Sequence, residues 1–157
     1  MNLILKEIVA IIKEETEKIN KKIYGTTFLE IVKEKIIDRQ DQIHLKNLQI
    51  ENSNIHLTEN INVFEKDLYL KLSLYETPQF LLKTKLDKNV LFIVLKEVAR
   101  IDILNQNTKK YVTISLRPFT GITMSKETVC NLNFPKNSLI LELASNEEDL
   151  DVEKNKD

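Results

Sequence analysis

The chain has 157 residues, 42% of them hydrophobic and 30% charged, and its formal net charge is −1. This length and composition predict a single domain over residues 1–144, large enough to bury a core, with a tail after it. The sequence contains only two glycines and three prolines. This scarcity disfavours Gly-rich phosphate loops, Gly-rich linkers, collagen-like repeats and Pro-rich recognition segments.

The cysteine content and the N-terminal segment indicate the compartment. Cys130 is the only cysteine, so no internal disulfide can form, and a reducing environment is expected. Residues 1–23 carry several lysines and glutamates, which fits neither the apolar region of a signal peptide nor a membrane span. We therefore expect a soluble cytoplasmic protein with no membrane span.

A first helix is predicted over about residues 3–23. Apolar residues recur there at helical spacing, Asn2 can cap the start, and Gly25 is the natural left-handed stop. Ile4 and Ile11 widen the apolar surface of this helix. The helix therefore either packs into the core or pairs with another chain, which would make a homo-oligomer.

A second helix is predicted to begin at Thr27. Thr27 and Glu30 have the T-x-x-E spacing of a capping box, and the apolar periodicity continues to about Arg39. Because the link between the two helices is short, they are expected to fold against each other.

Residues 43–63 alternate between apolar and polar side chains, which is typical of strands. The turn formers at 51–54 predict a hairpin over residues 43–57, and Glu59 and Asn60 predict a loop after it. The alternating segments are Ile43–Leu45, Leu48–Ile50, Ile55–Leu57 and Ile61–Val63.

The clearest strand in the sequence runs from residue 67 to residue 75. Its two sides have opposite character: Leu68, Leu70, Leu72 and Leu74 on one, and Tyr69, Lys71, Ser73 and Tyr75 on the other. This period-2 pattern predicts one dry face and one wet face. We expect the N-terminal helices to pack on the leucine face.

The second half of the chain is predicted to contain one helix and several strands. Asp87 can cap a helix near 88–98, although the apolar run Val90–Leu95 also fits a buried strand. Alternating segments predict strands over about 79–82, 99–103, 112–116 and 138–144. The fold class expected is therefore α+β, with two N-terminal helices packed on a mostly antiparallel sheet and one further helix near 88–98.

Charge is distributed unevenly along the chain. Residues 145–157 contain six acidic residues and two lysines, without a hydrophobic pattern, which predicts a disordered acidic C-terminal tail. Residues 83–136 contain ten Lys or Arg and four acidic residues, a net charge of +6. The basic second half and the acidic tail are the main electrostatic features of the sequence.

Five residues of the basic half form a candidate nucleic-acid or partner surface: Arg100, Lys109, Lys110, Tyr111 and Arg117. Cations beside an aromatic ring suit a phosphate backbone and a stacked base. The alternative is an exposed hairpin whose lysines keep it soluble.

No catalytic, cofactor-binding or metal site is predicted. His44 and His56 are the only histidines, and no Cys/His cluster supplies the three or four ligands of a metal site. Nothing local would activate Cys130 as a nucleophile. The G-x-S-x-G and H-E-x-x-H motifs are also missing. The expectation is a protein that is not an enzyme and needs no cofactor.

Two stretches are similar to parts of Hfq and the Sm-like fold. Residues 28–37 followed by Ile43-His-Leu45 resemble the Hfq N-terminal helix and its entry into the first strand. Val112–Leu116 with Gly121 resembles the Sm strand-turn-strand rhythm. This resemblance implies an RNA-binding protein that acts in post-transcriptional regulation.

The whole chain also resembles FlgV, a family encoded among bacterial flagellar genes and compared with Hfq. The resemblance lies in the size, in the N-terminal helices before a strand-rich body and in residues 28–57. It implies a structural or regulatory component at the cytoplasmic side of the flagellar motor. Such a component would modulate flagellar assembly through contacts with motor or export proteins, with no catalysis and no bound cofactor.

Overall fold

The computed structural model describes residues 1–19, 23, 25–49, 52–64 and 66–145. Two helices, α1 (Asn2–Glu17) and α2 (Gly25–Asp38), precede short 3₁₀ turns at Gln40–Gln42 and Leu45–Asn47. The strands that follow in these residues are β1 Ile55–Val63, β2 Lys66–Tyr75, β3 Gln79–Lys85, β4 Asn89–Lys96, β5 Ala99–Asn105, β6 Lys110–Leu116, β7 Thr120–Met124, β8 Val129–Phe134 and β9 Ser138–Ser145.

The described strands form two sheets that pack face to face. One has the order β1-β2-β9-β4-β7 and the other has the order β3-β8-β5-β6, with antiparallel pairing throughout. The predicted α+β class is therefore wrong, because a second sheet covers the face that the prediction left to solvent. The protein is a largely β sandwich with a helical layer on one side.

The five-stranded sheet is buried on both faces. The leucines of β2 belong to a core that includes the apolar faces of α1 and α2, so the helices lie on this face as predicted. The opposite face contributes Phe92, Val94 and Ile140 to a second core, between the two sheets. The polar side chains that β2 and β9 carry on that second face therefore point towards the other sheet.

The helix predicted near 88–98 is strand β4. It pairs with both β9 and β7, and residues 89–95 are all buried. A strand covered on both faces needs apolar residues at every position, so it shows no period-2 signal. This is why the run Val90–Leu95 could not be distinguished from a buried helix by its pattern.

The N-terminal helices differ from the prediction at their ends. α1 ends at Glu17 instead of continuing to residue 23, and Gly25 is the first residue of α2, with a φ of 67°. Ile4 and Ile11 are buried in the core beneath the helical layer. The wide apolar surface of α1 is therefore explained by packing within one chain, and a homo-oligomer remains a prediction.

The hairpin predicted over residues 43–57 is also wrong. Residues 40–42 and 45–47 form 3₁₀ turns, and Ile43 is buried in the core between the helices and the five-stranded sheet. β1 begins at Ile55 and continues through Glu59 and Asn60 without a loop. Short apolar triplets resemble strands in a sequence. Here Ile43, the first residue of the first triplet, packs into the core and so holds the segment between α2 and β1 against it. Ile50 and Glu51 lie outside the described residues.

β3 lies at an edge of the four-stranded sheet and contains a bulge. Its pairing with β8 shifts register between Leu81 and Thr84. Lys83 has a φ of 51°, and its backbone N–H donates to Asn131 Oδ1 at 2.9 Å. Phe80, Leu81 and Leu82 are exposed around this bulge.

Several other predictions concern the second half of the chain. β5, β6 and β9 lie close to the predicted strands, whereas β7 and β8 were not predicted. The predicted tail begins at Ser145, but this residue is buried as the last residue of β9, and residues 146–157 lie outside the described part of the chain. Among the described residues, no helix combines the length and hydrophobicity that a bilayer crossing requires.

Candidate ligand-binding cleft

The polar side of β2 faces the inside of the sandwich. Ser73, predicted to be on a wet face, is only 3% exposed, and Tyr75 is also buried. The strand register places Lys71 opposite Thr58 of β1 and opposite Glu142 of β9, all on this inner face. The prediction of a solvent-facing side is therefore wrong, because the second sheet lies over it. The inner face of β1, β2 and β9 instead carries a row of polar groups.

These groups line a cavity of about 770 Å³, called the cleft below. Its walls come from the inner faces of both sheets and from the loop between β3 and β4. Its polar and charged lining residues are Thr58, Glu59, Asn60, Tyr69, Lys71, Thr84, Lys85, Asp87, Lys88 and Glu142, and its apolar ones are Leu70, Leu81, Leu86, Val90, Phe92, Leu132 and Ala144. The volume is in the range of small-molecule sites.

Glu142 is the central charged group of the cleft. It is half-buried and lies between Lys71 on β2 and Phe92 on β4. Within the described part of the chain, no hydrogen bond or ion pair reaches its carboxylate. Burial raises the pKa of Glu142, Lys71 and Lys88 oppose that rise, and Asp87 adds to it. The carboxylate is therefore held in a poorly solvated position without a direct protein partner.

Lys88 stands at the mouth of the cleft. Its Nζ lies 4.2 Å from the centre of the Tyr69 ring, which is a cation–π contact. The aromatic ring holds the ammonium group in place without neutralising its charge. The Lys88 ammonium group is therefore positioned by Tyr69 beside the cleft that both residues line.

Beyond Lys71 the sandwich is filled by aromatic side chains. His56 Nδ1 lies 2.7 Å from Ser73 Oγ, and the His56 ring meets Tyr75 edge-on at 5.5 Å. Tyr75 stacks on Phe134 at 5.4 Å. Burial, and then Lys71, lower the pKa of His56, so the neutral imidazole is favoured. This cluster, whose outermost member His56 is exposed, fastens β1 to β2.

Replacing Glu142 by glutamine is expected to raise the melting temperature at neutral pH. The folded-state pKa of Glu142 lies above its ordinary value of 4.5, so its protonated form favours folding and its ionised form opposes it. The stabilising contribution of protonation is full below pH 4.5 and is lost as the pH rises through the folded-state pKa. The gain from Glu142→Gln should therefore shrink as the pH falls towards 4.5.

Thermal unfolding between pH 4.5 and pH 8 measures this effect. Glu34→Gln, on the exposed surface of α2, is the matched control and should leave the melting temperature nearly unchanged. A Glu142→Gln variant that is less stable than the parent at neutral pH would mean that the carboxylate has a protein partner.

The five residues of the candidate nucleic-acid or partner surface do not form one cluster. Arg100 is paired across the sheet with Ser115, near the end of β6 that leads to Arg117, and it forms an ion pair with Asp102 at 3.7 Å. Lys109, Lys110 and Tyr111 lie at the opposite end of β6. A strand of this length separates the two groups by roughly 20 Å. All five are exposed, and their role as a partner surface remains a prediction.

The remaining candidate residues are held in structural positions. His44 Nδ1 contacts a carboxylate oxygen of Glu7, which ties the 3₁₀ segment to α1. Cys130 is buried, and burial raises the pKa of its thiol to about 11. Among the described residues, no three His, Cys, Asp or Glu side chains are grouped as a metal site would need.

No protein-family model and no curated protein matches the chain. A cupin superfamily protein from Desulfitobacterium hafniense is 12% identical, with a TM-score of 0.48, over 66% of this chain and 88% of that one. KdgF from a Halomonas species is 11% identical, with a TM-score of 0.48, over 65% and 86%. An RmlC-like cupin from Shewanella frigidimarina is 8% identical, with a TM-score of 0.48, over 63% and 81%.

The expected membership of the FlgV family and the likeness to Hfq are wrong. The chain folds as a sandwich of two antiparallel sheets and not in the Sm-like arrangement that the resemblance implied, and nothing found supports a role in flagellar assembly, motility or Hfq-like RNA binding. Residues 43–45 do not enter a strand, and Val112–Leu116 lies in a different sheet from Gly121. The two matched stretches therefore lack the connectivity that made them resemble an Sm-like fold.

Proposed function

We propose that the protein binds a small polar molecule in the cleft and does not catalyse a reaction on it. The observation that carries this proposal is the position of Glu142, a half-buried carboxylate with no direct hydrogen-bond or ion-pair partner in the described residues. A buried charge without a partner lowers stability. A ligand that supplies a hydrogen-bond donor or an opposite charge would remove this cost when it binds.

The reactive side chains support binding in preference to catalysis. Ser73 and Cys130 are buried. Neither side chain is among the residues that line the cleft, and the raised pKa of Cys130 keeps its thiol protonated. The cleft itself offers charged groups and hydroxyl groups at its walls, which are suited to holding a polar molecule.

A thermal-shift screen of amino acids, sugars, sugar acids, nucleosides and polyamines tests the proposal. A ligand at 100 times its Kd stabilises the folded state by about 2.7 kcal/mol. At least one compound is expected to raise the melting temperature of the parent. Ala144→Leu, which places a larger side chain in the cleft, should abolish that rise.

Ala10→Leu is the matched control, because Ala10 lies on the exposed side of α1. It should respond to the ligand like the parent. If Ala144→Leu fails to fold, Thr58→Phe obstructs the cleft from the exposed edge strand β1 instead. The proposal fails if no compound stabilises the parent, or if the obstructed variants respond equally.

A further inference from the structure

Lys71 and Glu142 are neighbours of opposite charge that do not touch. They are directly opposite each other on β2 and β9, which places their Cα atoms about 4.5–5.5 Å apart. Opposite charges in such cross-strand positions normally attract and pair. Among the described residues, however, no ion pair joins them, although both line the cleft. Each therefore presents its charge to the cavity, side by side with the other.

Lys88 adds a second ammonium group to this arrangement. It is held over Tyr69 at the mouth of the cleft, and Tyr69 is two residues from Lys71 on the same face of β2. Glu142 therefore lies within the electrostatic influence of two lysines. The complementary molecule carries one positive group for Glu142 and a negative group beside it for Lys71 and Lys88.

The wall beside these charges is apolar. Val90 and Phe92 of β4, Leu132 of β8 and Leu81 of β3 line this part of the cleft. These side chains cannot hydrogen-bond with a ligand, but they favour burial of hydrocarbon surface. The cleft thus combines a paired set of opposite charges with space for an apolar group.

From this juxtaposition we infer that the ligand is a small zwitterion of the amino-acid type, with an ammonium group on Glu142, a carboxylate on Lys71 and Lys88, and an apolar side chain. The inference rests on the proposed function and narrows it to one class of ligand. Sugars and nucleosides lack the adjacent opposite charges, so they would leave Lys71 and Glu142 without partners.

Isothermal titration calorimetry with matched probes tests the inference. The zwitterions are L-leucine, L-methionine and L-phenylalanine, and each is compared with its decarboxylated amine and with its deaminated acid. At least one zwitterion is expected to bind about tenfold or more tightly than either analogue, because each analogue leaves one buried charge unpaired.

Two variants test the charges of Lys71 and Glu142 one at a time. Lys71→Met keeps the aliphatic stem and removes the ammonium group, so the affinity for the zwitterion should fall about tenfold or more while the affinity for the amine stays the same. Glu142→Gln should weaken the zwitterion similarly and leave the acid unchanged. Lys6→Met, on the exposed side of α1, is the control and should bind like the parent. Circular dichroism checks folding, and Lys71→Gln replaces Lys71→Met if that variant unfolds.

The possible results distinguish this inference from the proposed function. Equal affinity for the zwitterion and its amine, or parental affinity in folded Lys71→Met, overturns the inference. If a sugar or nucleoside binds in a way that Ala144→Leu abolishes while all three amino acids fail, the ligand class is wrong and the binding function stands. If no compound shows binding that depends on the cleft, both fail.

Discussion

Replacing Leu70 by alanine is expected to lower the free energy of unfolding by about 2–5 kcal/mol. Leu70 is 1% exposed and lies in the middle of β2, between Glu59 of β1 and Leu143 of β9. Its side chain belongs to the core that joins the five-stranded sheet to the helices. Truncation removes buried methyl groups and leaves a cavity that strands paired on both sides cannot easily close.

Equilibrium urea denaturation measures the change in unfolding free energy. Leu82→Ala is the matched control, because Leu82 is 72% exposed next to the β3 bulge. Its effect should stay within about 0.5 kcal/mol. If Leu70→Ala were as stable as the parent, the helical layer would not pack on this sheet as described.

Replacing Gly121 by alanine is expected to destabilise the fold by about 1–3 kcal/mol or more. Gly121 of β7 is paired with Ile93 of β4. A Cβ atom at this position would lie 2.6 Å from the carbonyl oxygen of Phe92 and 2.9 Å from Ile93 Cγ1. Because one of these atoms belongs to the backbone of the neighbouring strand, a rotamer change cannot relieve the contact, and β7 would have to shift.

Thermal unfolding of Gly121→Ala measures this cost. Ser125→Ala, at an exposed position just after β7, is the control and should have little effect. Parental stability of Gly121→Ala would show that β7 can move away from β4 without losing its pairing.

The sequence is sufficient to predict those elements whose two faces differ clearly in polarity. The leucines of β2 identified both the strand and the side that the helices cover. The polar residues of the same strand were assigned to solvent, because period-2 alternation shows that two faces differ but does not show what covers each. The prediction of a helix in place of β4 is wrong for the complementary reason, because burial on both faces removes the alternation altogether.

The cleft was missed for the same reason as the second sheet. The sequence pattern predicts a binding surface among the basic residues around the β5–β6 hairpin, and it places Lys71 on the wet face of β2. One signal was present in β9, where Glu142 interrupts the otherwise apolar run from Leu139 to Ala144. A charge within a buried strand needs an explanation, and here it marks the wall of a cavity.

The bulge in β3 has a consequence for how the protein behaves at high concentration. An edge strand presents unpaired backbone groups to other molecules, and three adjacent apolar side chains on such an edge would favour aggregation. Here the regular ladder is broken after Leu81 and resumes only at Thr84. A strand from another molecule could pair with only short regular segments of β3 on either side of Lys83. The bulge therefore protects this apolar edge from intermolecular β-sheet formation.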